Sequence, residues 1–305
     1  MIIINQNYGQ LGNRLFLYAH FLAYGMENNR KVLYPGFADR TDFFPNLNKK
    51  FLINQFIGYK CQKSLENLLY IFFRRFFHNK SKAIRLLEHV SGRSFHMRLD
   101  PLQEFFYPEF DASSKLPSGL CFFEGWAFRL HEAFRKHSQS IRSIFQFDDT
   151  TLEAAQHFLE KFQGGLTVGI HVRRGDYASA APQWVYSDDY WIDAIQKMKS
   201  TAKIKLNFII VSDEKCLNYQ IDEVHRFYGS DILDLAVLSK CNYIMGPPST
   251  FNRWAAFVGD KPHFCSWNSK EFPTLDCFQQ FKMASATPLY LSKQEIETVR
   301  WFGII

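Results

Sequence analysis

Hydrophobic residues form short apolar runs along the chain, and these runs alternate with segments of helical periodicity. In the second half, strands are predicted at 166–172, 204–211 and 243–245, and helices at 190–198, near Glu223, at 233–239 and from Asn252. This alternation is typical of a parallel sheet with crossover helices. We therefore expect an α/β fold with a domain boundary near residue 150, where Asp148 and Asp149 interrupt the pattern.

The first half opens with an apolar run at 2–4, a turn that contains Gly9 and Gly12, and a helix predicted by the apolar spacing from Leu15. A strand, a turn and a helix in this order leave free N–H groups at the helix N-terminus, which suits an anion. Many such turns carry two glycines for geometry alone. Further strands are predicted at 31–34 and 121–126, the second followed by a helix.

The stretch between residues 65 and 97 is basic and aromatic, and we interpret it as a helical insertion. The cationic and aromatic residues at 68–85 suit a peripheral contact with an anionic membrane. They also suit helices that pack their aromatic rings on the core while the arginines reach solvent, and we favour this interpretation. At the other end of the chain, residues 292–301 predict a short amphipathic helix that begins with a capping box.

Composition limits the classes of protein that remain. A chain of 305 residues with 47% hydrophobic residues is long enough for two domains with separate cores. The net charge of +6 suits an anionic ligand, but it is too diffuse to indicate nucleic acid. The six cysteines are dispersed, form no Cys-x-x-Cys motif and predict buried, reduced thiols. No apolar run is long enough to span a bilayer. We expect a cytoplasmic protein, at most peripheral on the inner face of the membrane.

The strand predicted at 166–172 ends on the adjacent residues Arg173 and Arg174. Each guanidinium offers five donors and keeps its charge, so the pair requires anions. Ligands of open α/β sheets lie beyond the carboxyl ends of the strands, where such a pair would meet a phosphate or diphosphate. The alternative is a surface ion-pair cluster in which Asp176 closes on one arginine. Residue type alone leaves both hypotheses open.

Two other strand ends carry polar residues that suit the same chemistry. Asp213 ends the strand at 204–211 and is expected either to contact a ligand or to cap a helix. Ser249 and Thr250 lie directly before a predicted helix, so their hydroxyls and the N–H groups of the first turn suit a phosphate. Plain helix capping is the alternative for these two residues.

The order His171-x-Arg173-Arg174-x-Asp176 after an apolar strand resembles the H-x-R-R-x-D signature of the fucosyltransferase superfamily, and most closely that of glycosyltransferase family 11. Family 11 also has a G-G-L-G-N-Q-M-F-Q-Y-A segment, which the run from Tyr8 to Ala19 resembles, with Arg14 in place of the glutamine. A later family segment, D-x-x-L-M-S-x-C followed by N-S-S-F-S-W-W-G-A, matches the sequence at these positions: Asp234, Ser239, Cys241, Ser249, Phe251, Trp254 and Ala256.

The resemblance implies a GT-B fold with two Rossmann-like domains that face a cleft. The N-terminal acceptor-side domain would take residues 1–150, with the helical insertion near 65–97. The C-terminal domain, at 151–290, would bind the GDP-sugar, and the terminal helix at 291–305 would cross back to the first domain. By the same resemblance the protein would be an inverting transferase. It would move L-fucose from GDP-fucose to an oligosaccharide acceptor, in α-1,2 linkage to a galactoside.

The resemblance also assigns roles in the donor site. Arg173 would stabilise the leaving β-phosphate, and Arg174 would hold the diphosphate or brace the loop. His171 would contact the nucleotide, and Asp176 would orient an arginine or a ribosyl group. Apart from the resemblance, we expect Asp176 to assist weakly as a base or not at all. Asp234 would accept hydrogen bonds from the guanine edge.

The remaining assignments concern the phosphate and the sugar of the nucleotide. Ser249, Thr250 and Phe251 would bind phosphate and base or ribose. Gly12 and Asn13 would close on the diphosphate from the opposite domain. No Asp-x-Asp occurs in the chain, so we expect no metal and no cofactor beyond the donor substrate.

Two other functions fit the same arginine pair. A GT-B transferase that uses another nucleotide sugar would keep the pair but lose the guanine preference. A non-catalytic module that binds nucleotides or glycans is disfavoured, because carbohydrate modules rarely need two arginines at a strand end. No motif identifies the acceptor or the general base. The acceptor is expected to be an oligosaccharide, and a lipid-linked oligosaccharide also fits this expectation.

Overall fold

The computed structural model describes residues 1–4, 9–49, 94–99, 119–125, 130–162, 164–214 and 221–280. The chain divides into two compact units, the first taking in Met1–Gln146 and the second Phe147–Lys282. The predicted terminal helix and most of the predicted insertion, including the basic aromatic stretch at 68–85, lie outside the described residues. No helix within those ranges combines the length and the apolar character needed to cross a membrane.

The first unit contains a parallel four-stranded sheet with the order β2-β1-β4-β3. Its strands are β1 (Ile2–Ile4), β2 (Val32–Leu33), β3 (Ser94–Leu99) and β4 (Leu120–Gly125). Its helices are α1 (Leu11–Glu27), α2 (Pro45–Lys49), α3 (His131–Lys136) and α4 (Ser138–Ile144), with a 3-10 segment at Pro35–Phe43.

Aromatic side chains of α1 build much of the core of this unit. Tyr18 is buried and lies edge-on to Phe37 and Phe145, with ring centroids 5.5 and 5.8 Å apart. Phe21, also buried, packs against Phe123 of β4 at 4.7 Å. The high Phe content of the chain therefore serves core packing here, where rings in tilted or edge-to-face pairs bury large apolar areas.

The second unit contains a six-stranded sheet with the order β10-β9-β8-β5-β6-β7, parallel except for β10. Its strands are β5 (Leu166–Val172), β6 (Leu206–Ser212), β7 (Val224–Phe227), β8 (Tyr243–Gly246), β9 (Pro262–Cys265) and β10 (Gln279–Gln280). Its helices are α5 (Asp149–Leu159), α6 (Tyr177–Ala180), α7 (Asp188–Thr201), α8 (Asp231–Lys240) and α9 (Thr250–Gly259). Three 3-10 segments lie at Glu160–Phe162, Pro182–Trp184 and Leu275–Cys277.

The order of the strands reverses between β5 and β8. From β5 the chain adds β6 and β7 on one side, and then returns to place β8 and β9 on the other side. Such a reversal leaves a crevice beyond the carboxyl ends of the two central strands, where open α/β sheets bind their ligands. The loops after β5 and β8 therefore start at the position that most favours a site.

Three expectations from the sequence are wrong. The helix predicted near Glu223 is instead β7, because Val224 to Phe227 pair in parallel with β6, and Glu223 itself has a positive φ of 65°. The end of the predicted helical insertion, from Ser94, is β3 and pairs with β4. The thiol of Cys277 is exposed, although the cysteines were expected to be buried.

Candidate functional site

The arginine pair lies at the carboxyl end of β5, next to the reversal of the strand order. Arg173 Nη2 lies 2.5 Å from Asp176 Oδ1, and Arg173 Nη1 lies 3.0 Å from Asp213 Oδ2. The Asp176 contact is the ion pair that the sequence predicted as an alternative to a phosphate site. Only 15% of the Arg173 side chain is exposed, so the two carboxylates hold its guanidinium in one place.

Arg174 makes a separate set of contacts. Its Nη2 pairs with Asp188 Oδ1, and its Nη1 lies 3.7 Å from Glu214 Oε2. Its backbone N–H donates to Asp213 Oδ1 at 3.0 Å. Asp213 therefore holds both arginines, Arg173 through the side chain and Arg174 through the backbone. It was expected to contact a ligand or cap a helix. In the structure it fixes the arginine loop, and the ligand contact stays a prediction.

Gly175 permits this arrangement by lacking a side chain. A Cβ at this position would lie 2.5 Å from Asp213 Oδ2, the oxygen that pairs with Arg173. The glycine between the arginines and Asp176 is therefore required by the close approach of the Asp213 carboxylate.

Tyr177 joins the loop after β5 to the loop after β8. Its hydroxyl donates to the carbonyl oxygen of Pro248 at 2.8 Å. Its ring lies under the Arg173 guanidinium, with 5.5 Å between Cζ and the ring centroid, a distance typical of a cation–π contact. Burial raises the pKa of Tyr177 to about 12, so the hydroxyl stays protonated and keeps donating at neutral pH.

His171 is buried in β5, two residues before Arg173. Its ring packs against Phe251 with centroids 4.9 Å apart, and its Nδ1 lies 3.4 Å from Asn252 Nδ2. Burial and the nearby charge of Arg173 lower the pKa of His171 to about 3. The imidazole is therefore neutral at physiological pH.

Ser249 is the N-cap of α9, and its Oγ accepts a hydrogen bond from the N–H of Phe251 at 3.3 Å. The capping role that the sequence left open is therefore present. Thr250 begins the helix and is buried with Ser249. Both residues lie at the carboxyl end of β8, next to β5, so the structure places the N-terminus of α9 and the arginine pair at the same edge of the sheet.

Asp234 lies in the first turn of α8, after β7. Its Oδ1 accepts the N–H of Gly229 at 2.9 Å. Burial nevertheless raises the pKa of Asp234 to about 7, because the single hydrogen bond offsets only part of the cost of removing the carboxylate from water. Asp234 follows the carboxyl end of β7 and so lies at the same edge of the sheet, but β7 is two positions from β5.

Gly12 and Asn13 lie in the first turn of α1, in the first unit. Gly9, just before this helix, has a φ of 96°, a conformation that favours glycine. Arg14, which replaces the expected glutamine, is buried, and its Nη2 lies 2.6 Å from Asp39 Oδ1. It also donates to the carbonyl of Gly36 and so anchors the 3-10 segment of its own unit. The expected part of Gly12 and Asn13 in donor binding stays a prediction.

Sequence reasoning did not identify the roles of Tyr177 and Asn252. Their contacts join β5 to the segment after β8, some 70 to 80 residues further along the chain. A polar side chain inside an apolar helical run, as at Asn252, was the one available signal, because such a group must find a hydrogen-bond partner. Within the described ranges, no three His, Cys, Asp or Glu side chains converge as metal ligands would.

Solved structures similar to this chain define its class. A mutant of Arabidopsis thaliana FUT1 in complex with GDP has a TM-score of 0.55 at 13% identity, covering 92% of this chain and 73% of that one. The fucosyltransferase NodZ from Bradyrhizobium has a TM-score of 0.51 at 14% identity, covering 84% of this chain and 91% of that one. The fold is therefore the α/β fold of the GT-B class, as the resemblance to family 11 implied.

The family follows from the sequence match. A model of the family Glycosyl transferase family 11 matches residues 8–263, and the chain belongs to this family. The galactoside alpha-(1,2)-fucosyltransferase 2 of Gorilla gorilla gorilla is 28% identical over an alignment of 160 residues, and the match covers 46% of this chain and 47% of that protein. The chain thus spans about half the length of the curated relatives that it matches.

Proposed function

We propose that this protein is a fucosyltransferase that uses GDP-fucose as donor and links fucose α-1,2 to a galactoside. The observation that carries the proposal is the meeting of Arg173, Arg174 and the Ser249-capped helix at the reversal of the strand order, in a chain of family 11. Membership of the family and the relatives named above support fucosyl transfer. The linkage, the galactoside and a role in surface glycan synthesis are inferred from relatives of which the match covers slightly less than half the length.

The reaction requires positive charge where the bond breaks. The bond between fucose C1 and the β-phosphate oxygen breaks, its electron pair leaves with GDP, and an acceptor oxygen forms the new bond to C1 while losing a proton. Fixed donors at the β-phosphate lower this barrier, because negative charge grows there in the transition state. Arg173 is held for this task by Asp176 and Asp213.

The ion pairs leave room for a ligand. A guanidinium has five N–H donors, and each arginine makes two side-chain contacts to carboxylates among the described residues. The remaining donors are available to a diphosphate. Asp176, with 44% of its side chain exposed against 22% for Asp213, is the more accessible of the two carboxylates that hold Arg173.

The nucleotide contacts follow from the same edge of the sheet. Ser249, Thr250 and Phe251 supply hydroxyls and first-turn N–H groups for phosphate and ribose. His171 contacts the nucleotide from the end of β5, and the carboxylate of Asp234 accepts from the guanine edge. The second unit thereby acts as the domain that binds the GDP-sugar.

An α-linked product from a β-linked donor requires inversion at C1. A base is then expected to take the proton of the acceptor hydroxyl. Asp176 assists weakly in this role, and its contact with Arg173 is its main task. An Asp176→Asn variant with unchanged kcat and donor affinity would remove Asp176 from the mechanism.

A product screen tests the proposal. The purified full chain is incubated with GDP-fucose and a panel of β-galactoside and other oligosaccharide acceptors, and the linkage of any product is determined by NMR. We expect a fucosylated β-galactoside with an α-1,2 bond. A product with another linkage would overturn the α-1,2 assignment and keep the enzyme class.

Thermal melting with nucleotides separates the other functions. GDP is expected to raise the melting temperature more than UDP or dTDP at equal concentration, because ligands stabilise the state that binds them. Preference for UDP or dTDP would indicate a transferase for another nucleotide sugar. GDP binding without transfer or hydrolysis of GDP-fucose would indicate a non-catalytic module.

A further inference from the structure

A series of buried, hydrogen-bonded polar side chains connects β5, α9 and β9 beneath the candidate donor site. His171 of β5, Asn252 of α9 and His263 of β9 are all buried. Asn252 Nδ2 lies 3.4 Å from His171 Nδ1, and Asn252 Oδ1 lies 3.1 Å from His263 Nε2. Asn252 Nδ2 also donates to the carbonyl of Pro247 at 2.8 Å. One side chain therefore joins two histidines that are 92 residues apart in the sequence.

The orientation of the Asn252 amide is determined by Pro247. A carbonyl oxygen accepts and cannot donate, so the amide atom that faces Pro247 has to be the NH₂ group. The second hydrogen of the same NH₂ group is then directed to His171 Nδ1. The amide oxygen is left for His263, which has to donate through Nε2.

This orientation determines which nitrogen of His171 carries the proton. A neutral imidazole has one donor nitrogen and one acceptor nitrogen. Because Nδ1 faces an N–H donor, it is the acceptor, and the proton lies on Nε2. Among the described residues no protein group forms a hydrogen bond with Nε2 of His171, although the residue lies at the carboxyl end of β5.

Gly246 shows that the structure is built around this chain of contacts. A Cβ at Gly246 would lie 2.2 Å from Asn252 Nδ2 and 3.0 Å from the carbonyl oxygen of His171. The last residue of β8 therefore has to be a glycine for Asn252 to reach between the two strands.

We propose that Asn252 is a positioning residue that holds His171 as the Nε2–H tautomer, so that His171 can only donate to the nucleotide. The atom that it recognises is then a hydrogen-bond acceptor, such as a carbonyl oxygen of the base or an oxygen of the ribose. This inference rests on the proposed function for the identity of the ligand, but the tautomer itself is a property of the free protein.

Long-range ¹H–¹⁵N NMR of histidine side chains tests the tautomer directly in the full chain. The His171 signals are assigned by their absence from a His171→Gln variant. We expect an Nε2–H tautomer in the wild type. Asn252→Asp is nearly isosteric and still accepts from His263, but its carboxylate cannot donate to His171, so the proton should move to Nδ1. A wild-type protein with the proton on Nδ1, or an unchanged tautomer in Asn252→Asp, would overturn the proposal.

GDP binding measured by calorimetry tests the consequence. Asn252→Asp and Asn252→Leu are expected to weaken GDP binding about tenfold, the effect of losing one hydrogen bond. Asn207→Leu is the matched control, because Asn207 is buried near the opposite end of β6 and donates to the Phe162 carbonyl. It should lower the melting temperature without changing GDP affinity or the His171 signals. Equal loss of GDP affinity in Asn207→Leu would overturn the positioning role.

Failure of the proposed function gives a different result. If wild-type protein with the Nε2–H tautomer does not bind GDP, the proposed function and the nucleotide contact are overturned together. The NMR comparison would still support the conclusion that Asn252 determines the tautomer of His171. If GDP binds to the wild type and to both Asn252 variants with equal affinity, the positioning role is overturned and the proposed function stands.

Discussion

Asp213 Oδ2 lies 3.0 Å from Nη1 of Arg173, while its other carboxylate oxygen accepts the backbone N–H of Arg174. One side chain from the end of β6 thus fixes both the guanidinium and the backbone of the loop after β5. A fixed donor stabilises a developing charge more effectively than a mobile one, because it does not need to reorganise during the reaction. The value of Asp213 to the proposed reaction lies in this geometry.

Asp213→Asn should lower kcat for fucosyl transfer by about tenfold to a hundredfold. This is the scale of the effect expected when one oriented hydrogen-bond donor is lost from the transition state. The amide can still accept from Arg174, but its NH₂ group would face the donor Nη1 of Arg173 and displace it. Steady-state kinetics with GDP-fucose measure the effect. Glu214→Gln is the control, since Glu214 lies 3.7 Å from Arg174 Nη1 and is half exposed. Equal losses in the two variants would contradict the specific role of Asp213.

Gly175→Ala should lower kcat several-fold with a loss of about 1 kcal/mol in the free energy of unfolding. The added Cβ would meet Asp213 Oδ2 at 2.5 Å and push the carboxylate away from Arg173. Gly164→Ala provides the comparison, because Gly164 has a φ of 90° and open space around its Cβ position. That variant should be destabilised by backbone strain while its kcat stays at the wild-type value. Activity and denaturant unfolding are measured on both proteins.

The contacts predicted correctly from the sequence are those between residues close together in it. Arg173 and Asp176 are three positions apart, and their ion pair was one of the two expected outcomes. Ser249 and Phe251 are two positions apart, and the predicted helix cap is present. Local spacing, capping chemistry and a charge that needs a partner were sufficient for these.

The contacts that were missed depend on which strands are neighbours. Asp213 reaches Arg173 only because β6 pairs with β5, and Asn252 reaches His171 only because β8 lies on the other side of β5. Alternating strands and helices predict a parallel sheet, but they do not give the order of its strands. The misassigned helix near Glu223 has the same origin, since the four residues of β7 are stabilised by pairing with β6 and have no long apolar run of their own.

Tyr177→Phe and Tyr177→Leu should separate two contributions of one side chain. Tyr177→Phe removes the hydrogen bond to Pro248 and should cost about 1 kcal/mol in the free energy of unfolding. It keeps the ring beneath Arg173, so kcat should fall little. Tyr177→Leu removes the ring as well, and kcat should fall further as the guanidinium loses its support. Unfolding curves and initial rates test this, and equal kcat values in the two variants would exclude a role for the ring.

Asp234 should make donor binding depend on pH. The pKa of Asp234 is raised to about 7, so the carboxylate that we propose accepts from guanine is protonated below that value, and affinity for GDP-fucose should fall by up to about tenfold for each pH unit below it. The free energy of unfolding of the protein without ligand should change in the opposite sense to the affinity as pH changes. Between pH 3.8 and about 7 the unfolded chain ionises first, so the free energy of unfolding falls as pH rises. Calorimetry and denaturant unfolding from pH 5 to 8.5, without acceptor, measure both trends. Asp234→Asn should bind GDP-fucose more weakly and should flatten the pH dependence of both affinity and unfolding free energy. An unchanged pH dependence in this variant would show that another group titrates.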